Sequence, residues 1–556
     1  MSSSEVARLL PGARDYRGLR RFWRAELVAG ITVAVVALPL ALGFGVASGL
    51  GPEAGIVTAI VAGVVAGVFG GSHVQVSGPT GAMTVVLVPV VASVGPGGVV
   101  LVALLAGVLL VIVGAARLGR YAGILPWPVV EGFTVGIALL IFLQQVPAAL
   151  GVAKPHGENT AAVAVRSVMD WGGHGCTAVG LVAFVAAIMV VMARVHRGLP
   201  ASLMAVAAAT ALCEVAGLPA ARIGHIPASL PAPQWPEFSG GHVSQLVSAV
   251  FAVAALAGIE SLLSAKVADG MADGEDHDPD RELVGQGLAN IAVSFVGGMP
   301  ATGAIARTAV NVRAGARTRA ATIVHGVVLA VVVLALAPVL ERVPLAALAG
   351  VLMVTAVRMV EFRAVRRIVR TTRSDAALLV ATAVATVAFD LVTAVAVGVA
   401  LASLLALKAV ADNTTFAPEA LEPTVDVDAT LERALLDEHI VAYRLDGALF
   451  FGAAQRFLLE LTEIADVEVV ILRLGRLRLL DSTGAQALAD LIRHLQDRHI
   501  TVLLASLRPD HRRLLHRVGV LDVLIHENHV VPTIREALVH ARRHVVRSGH
   551  AEPAIA

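Results

Sequence analysis

One glutamate stands alone inside an apolar run, Leu256-Ala257-Gly258-Ile259-Glu260-Ser261-Leu262-Leu263-Ser264. An ionisable group in such a place is costly and is by default a functional candidate. A carboxyl that takes up and releases a proton there could couple proton movement to a second event; the alternative is a structural pairing with a neighbouring helix. Ser264 follows one helical turn later and shares its face. Two further stretches break apolar runs with glycine and proline: Gly78-Pro79-Thr80-Gly81-Ala82-Met83-Thr84, and Met299-Pro300-Ala301-Thr302-Gly303-Ala304-Ile305-Ala306-Arg307-Thr308. Aligning Thr80 with Thr302 carries Glu260 back to Leu38, inside the proline-containing run Val36-Ala37-Leu38-Pro39-Leu40.

Matched breaks in two halves of a chain point to a transporter's midplane binding site. Each helix that starts at a break leaves unpaired N–H groups and about half a positive charge directed at the gap. Two such starts facing one another suit an anion. A kink made only for packing is the plainer explanation of one break, and two matched breaks weigh against it. Arg307 could add positive potential there or reach toward the cytoplasm. Glu131 reads as structural, and the run Asp273-Gly274-Glu275-Asp276-His277-Asp278-Asp280 as a solvated loop, because it lacks the closing glutamate of a calcium loop. The histidines, mostly in the C-terminal part, form no triad or metal spacing. No enzyme, cofactor or metal site is expected, and Cys176 and Cys213 suggest neither a disulfide framework nor a zinc site.

The elements that must position these residues follow from composition. Of 556 residues, 57% are hydrophobic and 15% charged, well beyond soluble averages, and the net charge of +1 points to no nucleic-acid partner. Apolar runs near bilayer-spanning length occur at about 26–46, 52–70, 76–93, 98–115, 122–150, 176–194, 199–216, 244–266, 282–297, 303–312, 320–340, 344–357, 375–389 and 391–411. That is a polytopic all-α membrane domain of about fourteen segments. Seven per half is an odd number, so the halves must be inverted. Arginines crowd alternate loops, from Arg17 to Arg24 and from Arg358 to Arg373, while the opposite loops hold only Lys154, Arg166, Arg222 and Arg342. Both termini are therefore expected in the cytoplasm, with the chain multi-pass in the cell inner membrane. The polar, basic N-terminus suggests no cleaved signal peptide.

Beyond Thr415 the composition changes. The expected division is 1–25 cytoplasmic segment, 26–411 membrane domain, 412–430 acidic linker, 431–548 soluble domain and 549–556 tail. In the soluble part HIVAYRLDG, FFG, VEVVILRLG and TVLLASL read as strands. AAQRFLLELTEIA, GAQALADLIRHLQDRH and HRRLLHRVGV read as helices, which together make a small α/β domain.

These residues resemble the sulfate permease family of anion transporters. The match lies in the run Ala29 to Pro39, in Ser77-Gly78-Pro79-Thr80-Gly81 and in Glu282-Leu283-Val284-Gly285-Gln286-Gly287 with Asn290. It continues in Arg307-Thr308-Ala309-Val310-Asn311 and in Asp390-Leu391. The C-terminal part resembles a STAS domain. The resemblance implies a seven-plus-seven inverted repeat with core and gate domains, an elevator-type movement and a homodimer. It places the anion among Phe44, Thr80, Gly81, Ala82, Ala304, Ile305, Ala306 and Arg307, with Glu260 and Ser264 as the coupling pair. Within the family the chain is most similar to sodium-driven bicarbonate permeases. Those have an aspartate where this chain has Glu260, a threonine where it has Ser264 and another where it has Ile305. Ile305 lacks a side-chain oxygen, so a coupling proton is expected ahead of sodium. Leu40, where the family often has glutamine, suits a small anion: sulfate, bicarbonate or a dicarboxylate. In the STAS part, Asp481 and Ser482 sit where anti-sigma relatives are phosphorylated, though in a transporter a simple helix N-cap is the favoured explanation. An uncoupled anion channel and a membrane-anchored sensor are the competing functional classes.

Overall fold

The computed structural model describes residues 9–16, 18–120, 126–155, 159–172, 176–195, 200–226, 231–233, 235, 243–272, 276–389, 391–412, 414–419, 439–450 and 467–548. The chain divides into two compact units, Met1–Ala400 and Leu401–Ala556. The helix predicted at AAQRFLLELTEIA lies outside the described residues, as do most of the acidic linker, the tail and residues 273–275.

The first unit runs α1 (Leu19–Ser48), α2 (Pro52–Phe69), β1 (Ser77–Gly78), α3 (Gly81–Ala115), α4 (Trp127–Gln144), α5 (Val146–Leu150), α6 (Thr160–Asp170), α7 (Cys176–Val195) and α8 (Ala201–Ala216). It continues with α9 (Val243–Asp269), α10 (Pro279–Phe295), β2 (Thr302–Gly303), α11 (Ile305–Arg313), α12 (Ala320–Leu340), α13 (Leu345–Met359), α14 (Phe362–Thr371) and α15 (Arg373–Ala388), and α16 (Leu391–Asp412) runs across the division between the units. A helix lies within each of the fourteen apolar segments. The third and fourth segments follow one another within α3 as two helical stretches, separated at Gly95, whose φ of 73° is non-helical. Pro96 follows that break, where it removes a backbone donor and ends the preceding helical geometry. Val108, Ile112, Val331 and Leu334 are exposed on apolar helix faces, as suits helices set in lipid. Helix α14 was not foreseen. Ala364 and Ile368 are buried while its arginines are exposed, the pattern of a helix lying along a membrane surface.

Small residues set the closest approaches. A Cβ on Gly107 of α3 would meet the Gly287 carbonyl of α10 at 2.6 Å, and one on Gly287 would meet the Gly107 carbonyl at 2.6 Å. Only paired glycines let these backbones touch. Helices α1, α2, α3, α9, α10, α11 and α12 pack as one group, and α4, α7, α8, α13 and α15 as a second; α1–α13 and α3–α4 contacts join them.

The C-terminal carbonyls of α2 receive two arginines. Arg281 donates to Phe69 O at 3.3 Å and Arg319 to Gly70 O. Cations at a helix C-terminus are favourable, and Asp15 offsets the charge of Arg281 by accepting two hydrogen bonds from it at 2.9 and 2.7 Å. Burial alone would raise the Asp15 carboxyl, but the Arg281 hydrogen bond, the Gly12 N–H and the Arg319 and Arg281 charges together hold it at about 2, below the ordinary 3.8. A depressed acid of this kind adds stability that is fully present above the unfolded value and is lost as pH falls through the folded one, here between about 4 and about 2. Asp15→Asn should therefore destabilise the membrane unit by about 3 kcal/mol at neutral pH. Thermal unfolding in detergent reads this loss, and an unchanged midpoint would show that the pair contributes nothing net.

The second unit is a sheet in the order β3 (Thr415–Pro418), β4 (Ile440–Leu449), β5 (Val469–Arg473), β7 (Thr501–Ala505) and β8 (Val530–Val531), with β6 (Leu477–Leu480) also pairing β4. Strand β3 runs antiparallel to β4 and the rest are parallel. Alternation sorts the side chains. Val470 and Leu472 face α17 (Ser482–Asp497) and α18 (Pro509–Val518), whereas Val469 and Ile471 face α19 (Ile534–Arg547). Thr415–Pro418, read from sequence as linker, is a paired strand, and Glu419 beyond it binds Arg473.

Candidate functional site

Strands β1 and β2 are two residues each and pair antiparallel, Ser77 with Gly303 and Gly78 with Thr302. Each then turns directly into a helix: α3 begins at Gly81 and α11 at Ile305. Antiparallel pairing is what two inverted halves produce when their broken segments cross. The first N–H groups of each helix have no intrahelical acceptor. On α3 the Thr80 hydroxyl caps one, accepting from Met83 N–H at 3.4 Å. On α11 the cap position is Ala304, which offers no side chain for the purpose. By cap position Thr80 corresponds to Ala304 and not to Thr302, because 304 less 80 is 224. The sequence offset of 222 was thus two residues short.

Thr302 nevertheless meets Thr80. Their hydroxyls are 3.4 Å apart, and both donate to the same oxygen of Glu260, Thr80 at 3.0 Å and Thr302 at 2.9 Å. Helix α9 presents three polar groups on this side. Glu260 binds both broken segments; Ser261 Oγ accepts from Gly303 N–H at 2.9 Å; Ser264 Oγ lies 3.2 Å from Thr308 Oγ1 of α11. Thr308 Oγ1 in turn accepts from Val76 N–H at 3.0 Å, tying α11 to the first break.

Arg307 is 2% exposed. It does not reach for the cytoplasm: its guanidinium crosses to the other half and donates to Pro79 O, while Nη1 has no hydrogen-bond partner. It lies where a Cβ on Gly78 would stand, so glycine there makes room for it. Phe44 of α1 is buried with its ring edge beside Gly81, and Ala82 and Ala304 are buried nearby. Ile305 and Ala306 are exposed on the first turn of α11.

The breaks would be costly without polar support, since unpaired backbone is tolerated at membrane depth only inside protein or a cavity. Helix α10 supplies much of it. Glu282 accepts from Gly71 N–H at 2.7 Å, Ser72 N–H at 3.1 Å and Gln75 Nε2 at 2.7 Å. Gln286 donates to Ser77 Oγ. Asn290 pairs with Ala301, donating to its carbonyl at 3.0 Å and accepting from its N–H at 2.8 Å. From the second half, Asn311 donates to Val74 O at 2.8 Å. Glu282, Gln286, Asn290 and Asn311 entered the sequence reading only as points of resemblance; their role needs the fold, because their partners lie between 11 and 237 residues away. Thr302, aligned with Thr80 in the sequence but not among the expected site residues, belongs to the site.

The remaining expectations sort simply. Trp127 donates to Glu131 at 3.1 Å on the same helix, a structural pairing. Asp278 caps α10, and Asp280 accepts from Gly119 N–H at 3.0 Å, so these two anchor local backbone. Asp481 caps α17, accepting from Gly484 N–H at 2.7 Å, and Ser482 opens the helix exposed. The histidines do not all stay scattered: His529, His540 and His544 converge in the second unit.

Comparison with known proteins agrees with this architecture. Residues 23–382 match the model of the sulfate permease family, and residues 434–537 match the STAS domain. The protein named "Putative sulfate transporter YvdB" of Bacillus subtilis is 35% identical over 511 residues, 90% of this chain and 94% of that one. The solved transmembrane domain of a cyanobacterial bicarbonate transporter, BicA, is 32% identical, with a TM-score of 0.64 over 68% of this chain and 98% of that one. Murine Slc26a9, described as an anion transporter in the inward-facing state, is 18% identical with a TM-score of 0.82 over 98% of this chain and 95% of that one. At that identity it shows the shared fold alone.

Proposed function

The chain belongs to the sulfate permease family, and from that premise we propose that it is a secondary active transporter moving a small anion in symport with a proton. One observation carries the reading: a single carboxylate holds two hydroxyls, one from each break, at the meeting of two broken helices, beside a buried arginine. Ionised, Glu260 offsets the Arg307 charge. Protonated, it leaves Arg307 and two helix starts as uncompensated positive potential, which an anion can neutralise. Proton and anion then enter together, and neither is stable in the site alone. Phe44, Thr80, Gly81, Ala82 and residues 304–307 line the anion's place in this reading, and Ser264, one turn after Glu260, ties α9 to α11 through Thr308.

The helix group that carries both breaks is the moving core, and the group around α4, α7 and α13 is the gate, in an elevator-type cycle. We place the chain in the cell inner membrane with both termini cytoplasmic, as a homodimer. The related proteins are named for sulfate and for bicarbonate transport, and both anions, with dicarboxylates, form the candidate set.

Sodium coupling is the second reading. Thr80, Thr302 and Glu260 bring three side-chain oxygens together, so the missing hydroxyl of Ile305 does not leave a cation without ligands. Proteoliposomes loaded against a panel of labelled anions, with proton and sodium gradients imposed separately, decide between the two. Proton symport predicts uptake that rises as external pH falls, by mass action on the co-substrate, and that is unchanged when choline replaces sodium. A saturable sodium requirement at constant pH would transfer the role to sodium.

A further inference from the structure

Four histidines from two neighbouring stretches of chain, His526 and His529 and then His540 and His544, meet in the second unit. His526 and His529 lie on the chain around the short 3-10 turn Glu527–His529, just before β8; His540 and His544 are one turn apart on α19. The ring of His529 stands 5.5 Å from that of His540 and 5.3 Å from that of His544, and 5.6 Å from that of His526. His540 Nε2 and His544 Nε2 are 3.4 Å apart. Four tetrahedral nitrogens each about 2.05 Å from a zinc ion stand roughly 3.3 Å from one another, so this pair already has the spacing of two ligands. A nitrogen of His529 completes a set whose members all lie within 4.8 Å of one another.

His529 is 1% exposed, yet neither of its ring nitrogens makes a hydrogen bond of normal geometry, although the Val502 backbone lies close. A buried imidazole with both nitrogens unsatisfied forgoes hydrogen bonds it had in water, a cost of about 1–3 kcal/mol per group. Packing three more imidazoles against it does not remove that cost. A metal ion does, because each ring then gives a lone pair to one centre, and the Val502 backbone is placed to orient the ring as an outer support.

We propose that His529, His540 and His544 form a binding site for a divalent transition metal ion. The exposed His526, or water, fills the fourth position. Soft or borderline ions that favour imidazole nitrogen (zinc, nickel, copper) fit the donor set; magnesium and calcium do not, since no carboxylate joins the cluster among the described residues. Arg543 and Arg547 add positive charge nearby, so binding relies on coordination bonds and not on long-range attraction. Bound there, the ion staples α19 to the chain entering β8, fixing one edge of the domain.

The test uses the untagged full-length protein in detergent, stripped with a chelator and titrated with cobalt and then zinc. Expected are about one cobalt per chain, intense visible absorption from tetrahedral nitrogen coordination, and displacement by zinc. His540→Gln and His544→Gln, on a partly exposed helix face that tolerates change, should each weaken binding roughly 100-fold and erase the visible bands. His516→Gln, exposed elsewhere on the unit, should leave both unchanged. Zinc binding weaker than about 100 µM in the parent chain, or binding unaltered in the two α19 variants, would overturn the site and mark any bound metal as adventitious.

Discussion

Glu260→Gln should abolish anion accumulation driven by a proton gradient while leaving the fold and downhill anion exchange in place. A difference of one pH unit supplies about 1.4 kcal/mol per proton, enough for about tenfold accumulation if one proton accompanies each anion. In the variant that ratio should fall to the value set by the membrane potential and the anion gradient alone. The substitution is mild in structural terms. Gln retains an oxygen to accept the Thr80 and Thr302 hydroxyls, which hold the two breaks together at 3.0 and 2.9 Å. It cannot lose and regain a proton, so the site stays in its anion-accepting state permanently. Exchange, which requires only that the loaded site change sides, continues. Accumulation that still follows the pH gradient would remove Glu260 from the coupling role, and loss of exchange as well would show that the carboxylate is needed for the anion itself.

The reach of the sequence follows the range of the interactions involved. Spans of about twenty apolar residues are local and were read directly; so was the soluble α/β part, where strand and helix periods alternate within ten residues. The pairing of two Gly/Pro breaks was legible because it is a repeat. Its register was not: it slipped by two because capping, rather than residue identity, fixes where each helix begins, and Ala304 carries no mark of a cap. The gap expected between the third and fourth spans falls at Gly95, whose non-helical backbone separates two helical stretches. The supporting hydrogen bonds of Glu282, Gln286 and Asn290 were invisible because a buried carboxylate or amide gives no hint of which distant backbone group it serves. The histidines were judged on sequence spacing. His540 and His544 are a ligand-like pair at one helical turn, but His529 joins them only through the chain's return along the sheet edge.

Arg307→Gln should lower anion affinity by about 100-fold, near 2.7 kcal/mol, at neutral pH. The guanidinium is buried in α11, donates across the pseudo-symmetric break to Pro79 O, and keeps Nη1 without a hydrogen-bond partner. Arg281, at the end of α2, shows what a scaffold arginine does: its donors go to Phe69 O and to both oxygens of Asp15. An arginine with a spare donor among unsatisfied helix starts instead supplies charge to whatever enters. Gln removes that charge and is too short to span to Pro79, so some stability will also be lost; affinity must therefore be measured per folded molecule, by titrating purified protein at a temperature well below its own unfolding midpoint. Arg307→Lys separates the two roles. It restores the charge but offers a point donor in place of the planar fork, and should recover about tenfold of the lost affinity while leaving the midpoint depressed. If both variants unfold earlier yet bind the anion within about threefold of the parent, Arg307 is a brace between the halves, and the attraction for the anion must come from the helix starts alone.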